Sequence, residues 1–459
     1  MRYLPHTPQD VSTMLDVIGA RSIDDLFSSI PRSIRFDGRL DMEPALDEAA
    51  LVDHLSGLAG KNRALSCSVS FLGAGAYAHV VPTAVDSVIS RGEFFTAYTP
   101  YQPEVSQGTL QTLFEFQTMV AELMGLDVAN ASLYDGASAC AEAVLMAQRI
   151  VARQKQRRKV VVSTGLHPEY LETIRTYLSG MDDLDLVEVG LGPDGTTDLC
   201  SVDGALGPEA VCLFVQSPNF FGVVEPLAEL GRRAKDVGAV SCCAVSELTS
   251  LGLLEPPGRL GFEIVVGDGL GMAGPVSLGG PGVGLIATTE RNKRVLPGRL
   301  VGRTLDGENR VGYVLTLAAR EQHIRREKAT SNICSNQSLM AVSLAVHLSL
   351  LGRQGFKHLA RLNYSKAKYL REKLAERGLL AHPQALIYNE FAVKVPAGDA
   401  ALVARRIFEE YGVLAGVPLG RFSQEWKDLL LVNVTERHRR RQLDALVEAF
   451  DRFPQTSAQ

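Results

Sequence analysis

Two crowded stretches carry the side chains best suited to handling a small polar ligand. Tyr98-Thr99-Pro100-Tyr101-Gln102-Pro103 gathers two phenols, a hydroxyl and an amide around prolines that restrict the backbone. Polar tips on such a turn reach a ligand at little ordering cost. The same tyrosines would serve equally well packed in a subunit interface. The second stretch offers Arg325 and Arg326, then Thr330, Ser331 and Asn332. Arginine's planar fork suits a carboxylate or a phosphate, while the plainer reading is a charged helix face followed by a capped turn. A third element, Ser132-Leu133-Tyr134-Asp135-Gly136-Ala137-Ser138, reads as strand, tight turn and helix start. Amides exposed at a helix N-terminus favour an anion, which makes Asp135, Gly136, Ala137 and Ser138 a candidate phosphate turn. On the local reading, Asp135 caps the helix and Gly136 relaxes the turn.

Several other chemistries lack their residues. There is no H-E-x-x-H, no Walker loop, no cysteine–histidine zinc spacing and no G-x-S-x-G, so no metal centre is expected. Gly73-Ala74-Gly75-Ala76 departs from a dinucleotide fingerprint, because no strong strand precedes it and Tyr77 stands near where a glycine is needed. The seven cysteines (Cys67, Cys140, Cys200, Cys212, Cys242, Cys243, Cys334) form no C-x-x-C pair, and several sit in apolar runs. They read as reduced core residues of a cytoplasmic protein. A net charge of -5 argues against a nucleic-acid surface. The basic clusters Gln156–Lys159 and Arg437–Arg441 fall at helix–strand junctions and read as solvated edges. No unbroken apolar stretch is long enough to span a bilayer, and the N-terminus lacks a signal or transit pattern, so a cytoplasmic protein with no membrane partner is expected.

The elements that must position these residues follow from periodicity. At 459 residues the chain exceeds the size of one core, and three parts are expected: 1–68, 69–310 and 311–459. The first is a helical segment. Thr7-Pro8-Gln9-Asp10 starts a helix with Val11, Met14, Leu15 and Ile18 on one face and Gly19 at its end. Ser22 caps a second helix carrying Ile23, Leu26, Phe27 and Ile30, and a third aligns Leu51, Leu55 and Leu58. Such short amphipathic helices need something to pack on.

The second part alternates apolar runs with helices. Its strands are predicted at 129–133, 159–163, 186–189, 211–216, 239–245, 262–267 and 283–288, with helices at 136–153 and 225–237. Runs apolar throughout are those of strands covered on both faces, hence an α/β domain with a mostly parallel sheet. The third part is predicted as a long helical stretch, 311–350, then a small α+β domain. That domain has helices at 357–377 and 399–411, strands around Phe391–Val395 and Leu429–Val434, and a last helix ending at Phe450.

Read together, Phe71–Tyr77, Tyr98–Gly108, Tyr134-Asp135-Gly136, Pro218–Gly222, Gly279-Gly280-Pro281 and Arg320–Cys334 resemble the glycine dehydrogenase (decarboxylating) P-protein family. The resemblance runs to about Thr435 and matches that family's N-terminal half, which many bacteria encode separately. Ala78 departs from the aspartate the family usually shows before His79. The resemblance implies a fold-type I PLP-dependent transferase-like large domain with a small C-terminal domain. It also implies a lysine holding pyridoxal phosphate (PLP) in a loop after a late strand, and an acid on an earlier strand for the pyridine nitrogen.

Here that loop reads Asp268-Gly269-Leu270-Gly271-Met272-Ala273-Gly274-Pro275-Val276-Ser277, and no lysine occurs between Lys235 and Lys293. Cys242-Cys243-Ala244-Val245-Ser246 offers no acid, and Glu247 is the nearest. The implied role is therefore that of a lysine-free subunit beside a homologous PLP-bearing partner, perfecting in trans a site that decarboxylates glycine. The aminomethyl group would pass to the lipoyl arm of the H-protein, in a pseudo-dimer that pairs into a heterotetramer. Tyr98, Thr99, Tyr101, Gln102, Arg325, Arg326, Thr330, Ser331 and Asn332 are the candidate trans-acting residues. Two alternatives stand: a stand-alone PLP enzyme using Lys293 or Lys328, and a non-catalytic scaffold that stabilises or regulates the partner.

Overall fold

The computed structural model describes residues 5–36, 38–64, 68–152, 154, 156–396 and 398–453. They form two compact units, Met1–Arg63 and Ala64–Gln459.

In the first unit, helix Pro8–Ile18 opens on a reciprocal cap. Thr7 Oγ1 accepts from Asp10 N (3.2 Å), and Asp10 accepts from Thr7 N (2.7 Å). Gly19 closes it at φ 78°, a left-handed conformation that glycine adopts without strain. Ser22 caps a 3-10 turn, Ile23–Phe27, in place of the longer helix expected to reach Ile30. Asp47 caps helix Glu48–Ala59. None of the three elements buries a residue, and Met14, Ile18, Leu51, Leu55 and Leu58 stay exposed.

The second unit is built on a seven-stranded sheet, in the order Val128–Ala129, Gly284–Thr288, Ile264–Asp268, Val240–Val245, Ala210–Gln216, Lys159–Ser163, Asp185–Val189. The last five are parallel; the first two run antiparallel at one edge. Apolar cores line both faces, and strands 210–216 and 240–245 are buried at every position. The predicted strand 129–133 shortens to two residues, after which Leu133 bridges Gly284.

Two expectations are corrected. Val311–Thr316 is a strand, not helix, pairing antiparallel with Leu300–Leu305 in a hairpin that straddles position 310. A short apolar run does not announce its period, and here the alternation around Tyr313 prevails over the helical reading. The helix proper begins at Ser338 and continues to Ala375. By length and apolar composition alone it could cross a bilayer, a measure that a helix packed in a protein core also meets. It is interrupted at Gly352 (φ 56°), and Ala341, Leu344, Ala345 and Leu348 lie in the core beneath the large sheet. Beyond the break, Ala367, Leu370 and Leu374 join the core of the small sheet Glu390–Lys394, Leu429–Asn433, Val417–Pro418. One helix thus ties the two cores of this unit together. Cys140, Cys212, Cys242 and Cys243 are buried as expected; Cys200 and Cys334 are exposed, and Cys67 lies outside the described residues.

Candidate functional site

The turn at Asp135 is the meeting point of the sheet and a helix that covers it. Asp135 caps helix Gly136–Val151, its Oδ1 accepting from Ser138 N at 2.7 Å while Ser138 Oγ accepts from Asp135 N at 3.2 Å. The amide of Gly136 donates to the carboxylate of Asp268 (2.8 Å), at the end of strand Ile264–Asp268. Asp268 also accepts from Leu270 N (2.8 Å) and Val283 N (3.1 Å). The oxyanion at this helix N-terminus is thus the protein's own. Burial pushes the Asp268 carboxyl up to about 6, against the three amides that pull it down. Tyr170 roofs the turn: a Cβ on Gly136 would lie 2.5 Å from its hydroxyl and 3.1 Å from Asp268 Cβ. His167 stacks on Tyr170 (4.8 Å) and meets Phe220 edge-on (4.9 Å). Its Nδ1 accepts from Glu169 N (3.1 Å), so Nε2 is the donor to Ala74 O at 3.0 Å.

The acids deeper in the cleft are matched in the same way. Glu247, nearest to the position expected of an acid, accepts from Thr249 N (2.9 Å), Thr249 Oγ1 (2.6 Å) and Asn389 Nδ2 (2.9 Å), and faces His79 Nε2 at 3.1 Å. His79 Nδ1 meets Glu436 at 2.9 Å. Burial alone would push His79 down, yet the carboxylates of Glu247 and Glu436 hold it up at about 10. The histidine is therefore a buried cation shared by two acids, with no aspartate needed at Ala78, whose carbonyl accepts from Thr435 Oγ1 instead (2.9 Å). Glu390 accepts from Ala74 N (2.7 Å) and Tyr77 Oη (2.9 Å); burial raises it to about 7. The glycine-rich turn at 73–75 thus docks on Glu390 and leads into no dinucleotide site.

A different environment surrounds the two crowded stretches, which the fold brings together. Arg299, only 4% exposed, donates from Nη2 to Tyr101 Oη (3.0 Å) and to Cys334 O (2.7 Å), with its guanidinium over the Tyr101 ring. Tyr134, beside the capped turn, accepts from Cys334 N at 2.9 Å. All three sequence stretches therefore converge through Arg299 and Tyr134. Tyr98 is 72% exposed, and its hydroxyl has no partner among the described residues. Tyr101 is exposed too, but its hydroxyl is engaged by Arg299. Thr99 Oγ1 is buried without a partner, and Gln102 is exposed.

Arg325 and Arg326 end a single-turn helix, Gln322–Arg325, rather than lying on a long one, and both are exposed. Thr330 N donates to Arg320 O (2.9 Å), Ser331 Oγ accepts from Ile333 N (3.0 Å), and Asn332 is exposed. Lys293 pairs with Glu290. Arg299, Asp268 and His79 organise these regions; the sequence singles out loop 268–277 for its missing lysine and Ala78 before His79 for a departure, yet assigns none of the three residues this role. Only burial beside a partner distant in sequence does so.

The model of the glycine cleavage system P-protein family matches residues 1–450. A relative from Sorangium cellulosum, a probable glycine dehydrogenase (decarboxylating) subunit 1, is 48% identical over 99% of this chain and 100% of its own length. One of the same description from Listeria monocytogenes is 46% identical over 98% of each chain. A crystal structure of glycine decarboxylase (P-protein) of the glycine cleavage system, in inhibitor-bound form, superposes with TM-score 0.84 at 41% identity, covering 98% of this chain and 99% of that one. A sphingosine-1-phosphate lyase from Burkholderia pseudomallei, 15% identical over 92% of this chain and 94% of its own (TM-score 0.63), shares the fold alone.

Proposed function

We infer what this chain does from one premise: it belongs to the glycine cleavage system P-protein family. It works as the first subunit of a glycine dehydrogenase (decarboxylating), beside a homologous second subunit that carries PLP on a lysine. The observation that carries this is full-length identity of 48% to a chain described as subunit 1. In this chain's own cradle the residues do not fit the cofactor. Asp268 holds the amides its phosphate would need, Tyr170 covers Gly136, and loop 268–277 supplies no amine.

Bound on the partner, PLP supplies the electron sink for loss of carbon dioxide from glycine. The aminomethyl group then passes to the lipoyl arm of the H-protein. This chain presents Tyr98, Gln102 and the 325–332 stretch to that site in trans, with the Thr99 hydroxyl buried beneath them and Arg299 bracing Tyr101 from behind. The exposed apolar faces at 8–18 and 48–59 fit burial in the assembly, a cytoplasmic heterotetramer. The segment 1–68, the large domain 69–310 and the part 311–459 are its working divisions.

Purification with and without the lysine-bearing homologue, followed by glycine–carbon dioxide exchange, tests this reading. Exchange should need both chains. A borohydride-trapped PLP adduct on Lys293 or Lys328 of the isolated chain would instead establish the stand-alone reading.

A further inference from the structure

Arg294, Leu317, Ala319, Arg320, Arg325, Lys328 and Thr330 line an open cavity of about 350 Å³. Four of these carry positive charge, and among the described residues none of the four forms an ion pair with a carboxylate. The side chains of Arg294 and Lys328 make no hydrogen bond among the described residues either. Arg320 is anchored by Nη2 to Gly298 O (2.8 Å), and its Nε is buried with no partner. Arg325 is held by Nε to Ala319 O (3.2 Å), and the backbones of Arg320 and Thr330 are joined at 2.9 Å. Glu321, whose charge acts on Arg320 without an ion pair, faces His323 at 4.0 Å.

We propose that this cavity is an oxyanion site for a phosphate-class dianion. Gathered like charges repel, and an unpaired buried donor costs free energy, so a ligand that answers both is favoured. Two anchored guanidinium groups converge with an ammonium, a third guanidinium and a hydroxyl; planar forks and Thr330 Oγ1 suit tetrahedral oxygens better than a halide. A water takes about 30 Å³ of liquid, so the cavity admits an oxyanion with several waters. The contrast with Asp268 is direct: no carboxylate of this protein enters here. The site stands on this chain's geometry and rests on the subunit reading only for the source of the anion, free in solution or carried by the partner.

The test titrates the isolated full chain with inorganic phosphate against chloride at matched ionic strength, following 31P line width and melting temperature. A saturable response is expected from the wild type. In the Arg294→Gln/Lys328→Gln variant, affinity should fall about tenfold or more, with the melting temperature in chloride unchanged. Arg437→Gln/Arg441→Gln, in the other basic cluster, should bind as the wild type does. No saturable response over chloride, or wild-type affinity in the Arg294→Gln/Lys328→Gln variant, overturns the site. Repeating the titration on the assembled complex identifies the source: phosphate still taken up marks a free anion, and phosphate excluded marks an anionic group of the partner. Failure of glycine exchange with a successful titration would sink the subunit reading and leave the site intact.

Discussion

The cleft behind Gly136 and the face around Arg299 treat charge in opposite ways. In the cleft every acid described above meets a donor of this same chain: Asp268 three amides, Glu247 a histidine, a threonine and an asparagine, Glu390 a tyrosine and an amide. On the face, the bases around the 350 Å³ cavity meet carbonyls or nothing, and the Tyr98 hydroxyl is bare. A region that satisfies itself is finished at folding, whereas one that leaves donors over is complete only with something else.

Breaking the self-satisfied cleft should have the largest effect. His79→Ala strands Glu247 and Glu436 without their shared cation, and removing one member of a buried pair costs about 3–5 kcal/mol. Urea unfolding of the isolated chain should show that loss; a change under about 1 kcal/mol would mean that water or neighbours replace the histidine.

The same cluster predicts a pH profile. His79 rises from 6.5 unfolded to about 10 folded, so its contribution is whole below about 6.5 and drains as pH climbs through 10. Burial pushes Glu247 and Glu436 up, but His79 and their hydrogen bonds hold both below 4.5, so their share is lost in acid. Asp268 and Glu390, raised to about 6 and 7, act with the opposite sign: their contribution is whole below their unfolded values of 3.8 and 4.5 and drains as pH climbs to 6 and 7. Maximal stability is expected near pH 4.5, above which Asp268 and Glu390 lose their share and below which Glu247 and Glu436 lose theirs. His79→Gln should flatten the alkaline limb, and an unchanged limb would assign it to other groups.

On the open face the effects belong to activity. Tyr98→Phe removes a hydroxyl that has no partner among the described residues, so assembly and PLP content should hold while exchange by the complex falls about tenfold, or 1.4 kcal/mol. Full activity would make the loop interface packing and this chain a scaffold. Tyr101→Phe is a less clean probe, since it also cuts the bond from Arg299. Smallest of all, Arg294→Gln and Lys328→Gln should each leave the unfolding free energy of the isolated chain within about 0.5 kcal/mol. A larger loss would reveal structural partners and blur the contrast with the cleft.

Local signals settled much of this molecule. Thr7 and Ser22 each cap a helical element, and the apolar runs 159–163 and 210–216 form the parallel sheet, because capping and double-sided burial are written in neighbouring residues. The missing lysine of loop 268–277 was equally plain. Where two periods fit one short run, as at 311–316, pairing with 300–305 made the choice. The site itself was decided only in three dimensions. That Asp268 closes the cradle 132 residues from Gly136, that His79 is a cation between acids 168 and 357 positions away, and that Arg299 engages Tyr101 across 198 residues all depend on which strand ends meet. Side-chain charge is a property of the sequence, but whether it is answered is a property of distance and burial, and those exist only once the chain has folded.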